Sequence, residues 1–365
     1  MTWDLDAVDT PALVADLDIV ERNLRRVQAA AERAGLAMWP HTKTHKTPAL
    51  ARWQMDVGAA GITVSKLGEA EVMRDAGLPR IQLHYPPVGE AKARRLTALL
   101  ERGAEMRVAL DSVEAADTVS RAATRAGASV DVLVEVDPGM HRVGRQPGDE
   151  VLALAQRVAA LPGLRLIGLA SYAGHISGPP DEAGRQAILE REIEILAQER
   201  ERLAQAGLDP VVVSVGGTHH AARMERLRQA TDVRPGTYVY NDRNILACGS
   251  CQPEDLAAAV LVTVVSVNAS WAVVDGGSKA FSSDPSPLGG FGMVLGRPEL
   301  TLDRMSEEHG VLTWPVQERP PAVGERLRIV PNHICATVNL HDRVVFHRGS
   351  VVAEILTVAA RGRMQ

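Results

Sequence analysis

The sequence predicts an α/β fold, a (β/α)8 barrel of the TIM type followed by a mostly-β domain. Short apolar, β-branched runs alternate with helix-periodic segments from about residue 12 to about residue 240, and the candidate strands begin about 22–25 residues apart. This alternation stops after about residue 249. Strand–helix alternation is typical of parallel βαβ units, and about eight such units suit a closed barrel. An open, doubly wound sheet is the alternative.

The predicted elements follow one another in a regular order. The candidate strands are ALVADL, GLAMW, AAGITV, RIQLHY, MRVAL, VDVLVEV, LRLIGLAS and VVVSV. Helical periodicity marks residues 19–34, 67–76, 112–126 and 181–206, and glycine closes the last three of these helices. We therefore expect the barrel domain to span residues 9–249.

The remaining third of the chain has a different pattern. AAAVLVTVVSV, WAVVDGG, ERLRIVPNHICATVNL and DRVVFHRGSVVAEILTVAA are strand-like, and residues 284–299 are rich in Gly and Pro, which predicts a loop. We expect a C-terminal β domain over residues 250–365, with residues 1–8 able to pack on it.

Composition excludes several classes of protein. The 365 residues carry a net charge of -5, which argues against a general nucleic-acid binder. No apolar stretch approaches the roughly 20 residues that span a bilayer. The acidic N-terminus lacks the features of a signal peptide, and three cysteines make no disulfide framework. We expect a cytoplasmic protein with no membrane or nucleic-acid partner.

The segment WPHTKTHK places two lysines and two histidines in eight residues. In a parallel α/β barrel the active residues lie at the carboxyl ends of the strands, and Lys43 would follow the strand at residues 36–39. Neighbouring cations lower the pKa of a lysine, and a neutral amine forms Schiff bases. The alternatives are a solvated basic loop and a phosphate-binding patch, and this segment alone does not separate them.

Two glycine turns follow late candidate strands. SVGGT carries Ser214, Gly216, Gly217 and Thr218, and RPGTY carries Gly236 and Tyr238. Glycine lets backbone amides approach an anion, and late βα loops form the usual phosphate site of such barrels. The alternative is that these glycines serve turn geometry only.

Two further turns present polar side chains beyond strands. VEVDPGMHRVG presents His141 and Arg142, and SYAGH presents Tyr172 and His175. Arg142 is a candidate donor to a cofactor oxygen; the alternative is a turn arginine paired with a surface carboxylate. Each of these two turns, taken alone, favours a purely structural role over a role in binding a cofactor.

The segment PNHIC carries a candidate metal pair. In an extended segment His333 and Cys335 would face the same side, and imidazole with thiolate suits Zn²⁺. The alternative is a buried cysteine beside a strand histidine. Cys248 and Cys251 form a CxxC without a second CxxC, which favours two incidental cysteines over a structural zinc shared with His219 or His220.

Taken together, these segments resemble one family. PHTKTHK, VDPGMHRVG, SVGGT, RPGTYVYND, SEEHG and PNHIC, in this order, resemble the pyridoxal-phosphate enzymes of the D-serine dehydratase and D-threonine aldolase group, and DTPALVADLDIVERNL resembles the opening of that group. The group shares the alanine-racemase-like architecture of a (β/α)8 barrel and a β domain. The six motifs extend over about 300 residues, which makes the resemblance specific.

The resemblance implies a role for each motif. Lys43, and not Lys46, would carry pyridoxal 5'-phosphate as a Schiff base. Arg142 would approach the phenolic oxygen of the cofactor and Tyr172 its ring. The remaining implied cofactor-binding residues are Ser214, Gly216, Gly217, Thr218, Gly236 and Tyr238. His333 and Cys335 would bind a divalent metal, and the thiolate favours Zn²⁺ over Mn²⁺ or Mg²⁺. Relatives with this architecture imply a homodimer.

The implied function is a lyase acting on β-hydroxy-D-amino acids. The His-x-Cys pair resembles that of the D-serine and 3-hydroxy-D-aspartate dehydratases, whereas the aldolases more often carry His-x-Asp. D-threonine aldolase is the alternative activity. A racemase and a non-catalytic carrier of pyridoxal phosphate are the further alternatives, ranked after the aldolase. Trp39 occupies a position where the group usually has Arg, which leaves the preferred substrate open.

Overall fold

The computed structural model describes residues 4–365, which form two compact units. The barrel unit comprises residues 26–43, 50–236 and 363–365, and the β unit comprises residues 4–25, 44–49 and 237–362. The division into domains 9–249 and 250–365, with residues 1–8 packing on the second, stays a prediction. Residues 1–3 lie outside the described part of the chain.

Eight parallel strands form the sheet of the barrel unit. Strand β1 (Ala12–Asp16) belongs to the other unit, and the barrel strands are β2 (Ala37–Met38), β3 (Ile62–Val64), β4 (Arg80–Leu83), β5 (Glu105–Leu110), β6 (Val130–Glu135), β7 (Leu164–Ala170), β8 (Val212–Gly216) and β9 (Asp232–Arg234). Their order is β2-β9-β8-β7-β6-β5-β4-β3. A parallel bridge between His41 and Thr63 joins the two ends of this order. The sheet is therefore closed, and the predicted α/β barrel is confirmed.

Helices precede, connect or follow these strands. They are α1 (Leu17–Arg33), α2 (Pro48–Asp56), α3 (Leu67–Asp75), α4 (Glu90–Glu101), α5 (Val113–Ala126), α6 (Asp149–Ala160), α7 (Glu182–Gln205) and α8 (Thr218–Ala221). Helix α7 begins where the carboxylate of Asp181 accepts the amide of Gly184 at 2.8 Å. Helix α5 ends at Gly127, whose φ of 59° is the left-handed conformation that glycine adopts without strain.

A nine-stranded, mainly antiparallel sheet forms the β unit. It contains β1 and the strands β10 (Ala258–Val267), β11 (Ala272–Val274), β12 (Gly292–Val294), β13 (Thr301–Met305), β14 (Gly310–Thr313), β15 (Arg326–Pro331), β16 (Arg343–Arg348) and β17 (Val351–Thr357). The order is β11-β14-β13-β12-β15-β10-β1-β16-β17. The short helices of this unit are α9 (Arg243–Ala247), α10 (Ser278–Phe281) and α11 (Ile334–Val338). The predicted C-terminal β architecture is confirmed.

Strand β1 differs from the sequence prediction, which counts ALVADL among the barrel runs. It pairs antiparallel with β10 and parallel with β16. Residues 13–15 are buried, so they form a continuous apolar run that suits either sheet. The eighth barrel strand is instead β9, whose three residues are too few to show a period.

Both cores are aliphatic, as the aromatic content of 3% requires. Val260, Val262 and Ile329 belong to one apolar cluster of the β unit together with Phe281. Ala109, Leu133 and Ala170 belong to one small apolar cluster of the barrel unit. No helix within residues 4–365 combines the length and apolar character needed to cross a membrane.

Candidate active site

Lys43 lies in the turn that follows β2, at the carboxyl end of a barrel strand. Thr42 holds this turn, because its amide and its hydroxyl both donate to the carbonyl of Thr63, at 2.8 and 3.1 Å. The amide of Lys43 donates to Nδ1 of His41 at 3.5 Å, and the lysine side chain is half-buried. This is the position that active residues occupy in parallel α/β barrels.

Lys46, the second lysine of this segment, is fixed within the β unit. Its Nζ donates to Oδ1 of Asn339 at 2.9 Å, and its carbonyl accepts the amide of Ala360 at 3.0 Å. The side chain is only 7% exposed. These contacts give Lys46 a structural role and favour Lys43 as the reactive amine.

A buried polar cluster lies at the carboxyl ends of β4, β6 and β9. Nε2 of His84 lies 3.2 Å from Oε1 of Glu135 and 3.3 Å from Nη2 of Arg234. Burial raises the pKa of the Glu135 carboxyl, but His84 and the nearby guanidinium charges outweigh burial and hold this pKa below its usual value. This cluster is not apparent from the sequence, because each member is a single polar residue at the end of an apolar run.

The barrel unit holds several imidazoles uncharged, and its stability should therefore depend on pH. Burial lowers the pKa of His41 well below its usual value, with the Lys43 charge acting in the same direction. Burial also lowers the pKa of His84, and it lowers the pKa of His219 to about 3. Below pH 6.5 the unfolded chain therefore binds more protons than the folded chain, so stability is lost as the pH falls.

We expect the neutral imidazole of His219, by itself, to lower the free energy of unfolding by about 1.5 kcal/mol between pH 6.5 and pH 5, and His41 and His84 to act in the same direction. Urea unfolding at a series of pH values measures this loss. His219→Asn removes one of these groups and should make the curve shallower over the same range. A His219→Asn curve parallel to that of the unsubstituted protein would contradict the expectation.

Arg142 and Tyr172, predicted from two separate turns, are brought together. The guanidinium carbon of Arg142 lies 4.9 Å from the centre of the Tyr172 ring. The turn before Arg142 is built on Asp137, whose carboxylate accepts the amides of Gly139 and His141 at 2.9 and 3.0 Å. Nδ1 of His141 also lies 2.9 Å from this carboxylate, so His141 is occupied in holding the turn.

The SVGGT turn packs against the ring of Tyr172. A Cβ added to Gly216 would lie 2.7 Å from a ring carbon, and one added to Gly217 would lie 3.1 Å from another. Gly217 also has a φ of 97°, so both positions require glycine. Ser214 and Thr218 are buried on either side, and the Ser214 hydroxyl accepts a hydrogen bond from the last residue of β9. The role of this turn at a phosphate stays a prediction.

The second predicted phosphate turn is divided between the two units. Gly236 is the last residue of its segment of the barrel unit, and Tyr238 lies in the 3-10 helix Thr237–Val239 of the β unit. Tyr238 is buried. A joint role of these two residues at a phosphate stays a prediction.

His333 and Cys335 form a hydrogen-bonded pair in the β unit. The bond to Cys335 raises the pKa of His333 to about 9. Burial raises the pKa of the Cys335 thiol, but the bond and charge of His333 outweigh burial and bring this pKa below its usual value. Oγ1 of Thr44, the residue that follows Lys43 in the chain, lies 3.2 Å from the sulfur. Each member of the pair therefore stabilises the charged form of the other.

The local structure that was predicted for this pair is wrong. His333 is extended, with φ −137° and ψ 99°, but α11 begins at the next residue and contains Cys335. The side chains therefore meet at a helix start and not by strand alternation. Asp242 fixes this start, because its carboxylate accepts the amides of Ile334 and Ile245 at 3.1 and 2.8 Å. Asp242 belongs to the RPGTYVYND motif.

The donor chemistry of the pair suits a divalent metal, since imidazole and thiolate are common zinc ligands. Within residues 4–365, no group of three or more His, Cys, Asp or Glu side chains is arranged to hold a metal ion. The buried thiols Cys248 and Cys251 thus belong to no such group either. A metal on His333 and Cys335 would have two protein donors and would keep open coordination positions, which a catalytic metal needs.

Trp39 lies against Arg107 on β5. The guanidinium carbon is 4.1 Å from the centre of the Trp39 ring. The same guanidinium forms an ion pair with Asp232, with 2.7 Å between Nη1 and Oδ2. A Cβ on Gly61 would lie 2.3 Å from the ring, so the indole requires glycine there. Position 39 therefore contributes bulk and not charge to this part of the barrel unit.

Two family models match the chain. The one described as the alanine racemase N-terminal domain matches residues 15–244, and the one described as a putative serine dehydratase domain matches residues 257–347. The two matches follow each other without overlap.

Characterised proteins are similar over nearly the whole chain. A D-threonine aldolase of Arthrobacter sp. is 36% identical over 98% of this chain and 94% of its own. The D-threo-3-hydroxyaspartate dehydratase of Delftia sp. (strain HT23) is 37% identical over 90% of this chain and 92% of its own. Two solved structures of a D-threo-3-hydroxyaspartate dehydratase are each 34% identical to this chain. One is a cysteine-to-alanine mutant in a metal-free form, with a TM-score of 0.89 over 97% of this chain and 98% of its own. The other is a histidine-to-alanine mutant, with a TM-score of 0.90 over 98% of this chain and 96% of its own.

Similarity of structure agrees with similarity of sequence. The crystal structure of D-threonine aldolase from Filomicrobium marinum superposes with a TM-score of 0.94 at 35% identity, covering 100% of this chain and 99% of that one. The comparison therefore includes both the barrel and the β architecture.

Proposed function

The chain belongs to the family in which an alanine racemase N-terminal domain precedes a putative serine dehydratase domain, and we propose that it is a pyridoxal-phosphate- and metal-dependent lyase of β-hydroxy-D-amino acids. Dehydration of D-serine or 3-hydroxy-D-aspartate is the leading reaction, and cleavage of D-threonine is the second candidate. The observation that carries the proposal is the half-buried Lys43 at the carboxyl end of β2. Similar proteins over nearly the whole chain include both kinds of lyase.

The barrel unit supplies the groups that would bind pyridoxal phosphate. Lys43 would hold the cofactor covalently, and its amine would move the proton at the substrate Cα. Arg142 and Tyr172, which already contact each other, would orient the ring. The phosphate would lie at the glycine turns described above. When bound, the cofactor supplies an electron sink for the charge that develops at Cα.

The β unit supplies His333 and Cys335 as donors to the metal. A divalent metal supplies Lewis acidity toward the β-oxygen of the substrate. A thiolate donor favours Zn²⁺, with Mn²⁺ and Mg²⁺ as the alternatives. The metal-free form of the cysteine mutant of a D-threo-3-hydroxyaspartate dehydratase supports a metal in this family, and that protein is 34% identical to this chain.

The two candidate reactions differ in which proton the enzyme removes. In dehydration the proton leaves Cα and the β-hydroxyl departs. In aldol cleavage the hydroxyl proton leaves and the bond between Cα and Cβ breaks. The His-x-Cys pair favours dehydration, because the resemblance connects this pair with the dehydratases.

We expect D-serine and D-threo-3-hydroxyaspartate to release ammonia with their 2-oxo acids at least about tenfold faster than D-threonine releases glycine. Parallel assays of ammonia, pyruvate, oxaloacetate and glycine with one enzyme preparation measure this ratio. L-serine serves as the control for stereochemistry. Glycine as the main product would replace the dehydratase assignment with the aldolase assignment. Racemisation of alanine without release of ammonia would indicate a racemase. The absence of any turnover would indicate a carrier.

Three accompanying expectations stay predictions: zinc as the resident metal, a homodimer, and a cytoplasmic location. Metal analysis of the purified protein and light scattering test the first two directly.

A further inference from the structure

A buried carboxylate joins two of the turns that carry predicted cofactor residues. Oε2 of Glu192, on α7, lies 2.6 Å from Nε2 of His220 on α8. The hydroxyl of Ser171 donates to the other oxygen of the same carboxylate. Glu192, His220 and Ser171 are each 0% exposed. None of these three residues has a part in the chemistry proposed above.

The carboxylate of Glu192 is held as an anion in the protein interior. Burial raises the pKa of this carboxyl, but the charge of His220 and the hydrogen bonds from His220 and Ser171 outweigh burial and lower it. A buried charge is costly unless its partners are precisely placed. Any movement of the His220 imidazole or of the Ser171 turn would leave this buried charge less well stabilised and is therefore energetically unfavourable.

His220 transmits this constraint to Tyr172 and to the SVGGT turn. The rings of His220 and Tyr172 stack with centroids 6.4 Å apart and planes inclined by 25°. A Cβ on Gly217 would lie 3.3 Å from Nδ1 of His220 and 3.1 Å from the Tyr172 ring, so imidazole, phenol and turn are closely packed. Ser171 precedes Tyr172 in the chain, and its carbonyl accepts a hydrogen bond from Arg234 at 2.6 Å.

A second buried glutamate on the same helix shows what a purely structural carboxylate looks like. Glu199 is 3% exposed and accepts the backbone amide of Gly148. Burial raises the pKa of its carboxyl, and its remaining charged neighbours are Arg202 and Asp149. Glu199 thus contacts no residue of the candidate site, whereas both partners of Glu192 adjoin it.

We propose that Glu192 and His220 are a positioning pair that sets Tyr172 and the Gly216–Gly217 turn in the arrangement that receives the ring and phosphate of the cofactor. This inference rests on the proposed function. Neither residue touches the reacting atoms. The pair acts through the stacked Tyr172 ring and through the backbone that leads into α8.

The test compares Glu192→Gln with Glu199→Gln, each reconstituted with pyridoxal phosphate. Glu192→Gln keeps the shape and removes the charge, and we expect its Kd for pyridoxal phosphate to rise roughly tenfold or more, as when supports of bound groups are removed. The visible circular dichroism of the bound cofactor should change as well. Glu199→Gln should retain the affinity and the dichroism of the unsubstituted protein at a similar change in unfolding midpoint.

Equal cofactor affinity and dichroism in Glu192→Gln and Glu199→Gln would overturn the inference. If Glu192→Gln does not fold, Glu192→Met combined with His220→Phe replaces the polar pair by apolar groups of similar volume. That double variant should fold, and its Kd for pyridoxal phosphate should be raised as in Glu192→Gln. An unchanged Kd in the folded double variant would also overturn the inference. An unsubstituted protein without the visible band of a lysine-bound cofactor would instead overturn the proposed function, and with it this inference.

Discussion

Replacing Lys43 with alanine should abolish the visible absorption band of the lysine-bound cofactor and lower turnover by at least about a thousandfold. Lys43 is the amine at the carboxyl end of β2, and its turn is fixed by the hydrogen bonds of Thr42 to Thr63. Absorption spectra after reconstitution with pyridoxal phosphate give the first measurement, and ammonia release gives the second.

The control is Lys46→Met in the same segment. The ammonium of Lys46 donates a hydrogen bond to Asn339, so the loss of this bond should reduce the free energy of unfolding by about 1 kcal/mol and leave the visible band in place. A small primary amine added to Lys43→Ala should restore part of the turnover, since it replaces the missing proton acceptor. A band that persists in Lys43→Ala and disappears in Lys46→Met would reverse the assignment of the two lysines.

The fold was predictable to the extent that local patterns determine it. Strand–helix alternation is a local pattern, and it predicts the closed parallel sheet correctly. The partner of a strand is not a local property, which is why the apolar run of β1 was assigned to the barrel although it pairs with β10 and β16. Helix α11 has only five residues, so no period distinguishes it from an extended segment.

The candidate site was predictable where a turn concentrates unusual residues. Lys43 and the SVGGT turn are conspicuous because lysines and histidines, or adjacent glycines, follow an apolar run. Glu135 and Arg234 end strands that are not neighbours in the sheet, so only closure of the barrel brings them to His84.

Glu192 and His220 illustrate the same limit within helices. Glu192 lies three residues after Leu189 and four before Leu196, so helical spacing places it on the buried face of α7, as it also places Glu199. Its partners are 21 and 28 residues away in sequence, at Ser171 and His220. The spacing along α7 therefore does not distinguish Glu192 from Glu199, and only tertiary packing gives Glu192 the partners Ser171 and His220.

Removing the metal should lower turnover by at least about a hundredfold while the visible band of the cofactor remains. The reason is the proposed division of roles, in which Lys43 would bind the cofactor while His333 and Cys335 would supply the metal donors. Cys335→Ala and His333→Ala should each lose bound metal, because a site with two protein donors retains a metal weakly once one donor is gone. Elemental analysis of the purified proteins measures the metal independently of activity.

Cys251→Ala provides the matched control for Cys335→Ala. Cys251 is a buried thiol of the β unit, whereas Cys335 is half-buried, and Cys251 packs among apolar residues that include Val14 and Leu256. Its replacement should reduce stability by about 1 kcal/mol and leave metal content and turnover unchanged. EDTA treatment should reproduce the loss seen in Cys335→Ala, and Zn²⁺ or Mn²⁺ should restore turnover only in proteins that retain both donors. Full turnover by a chelated, metal-free protein would show that His333 and Cys335 serve the fold and not the reaction.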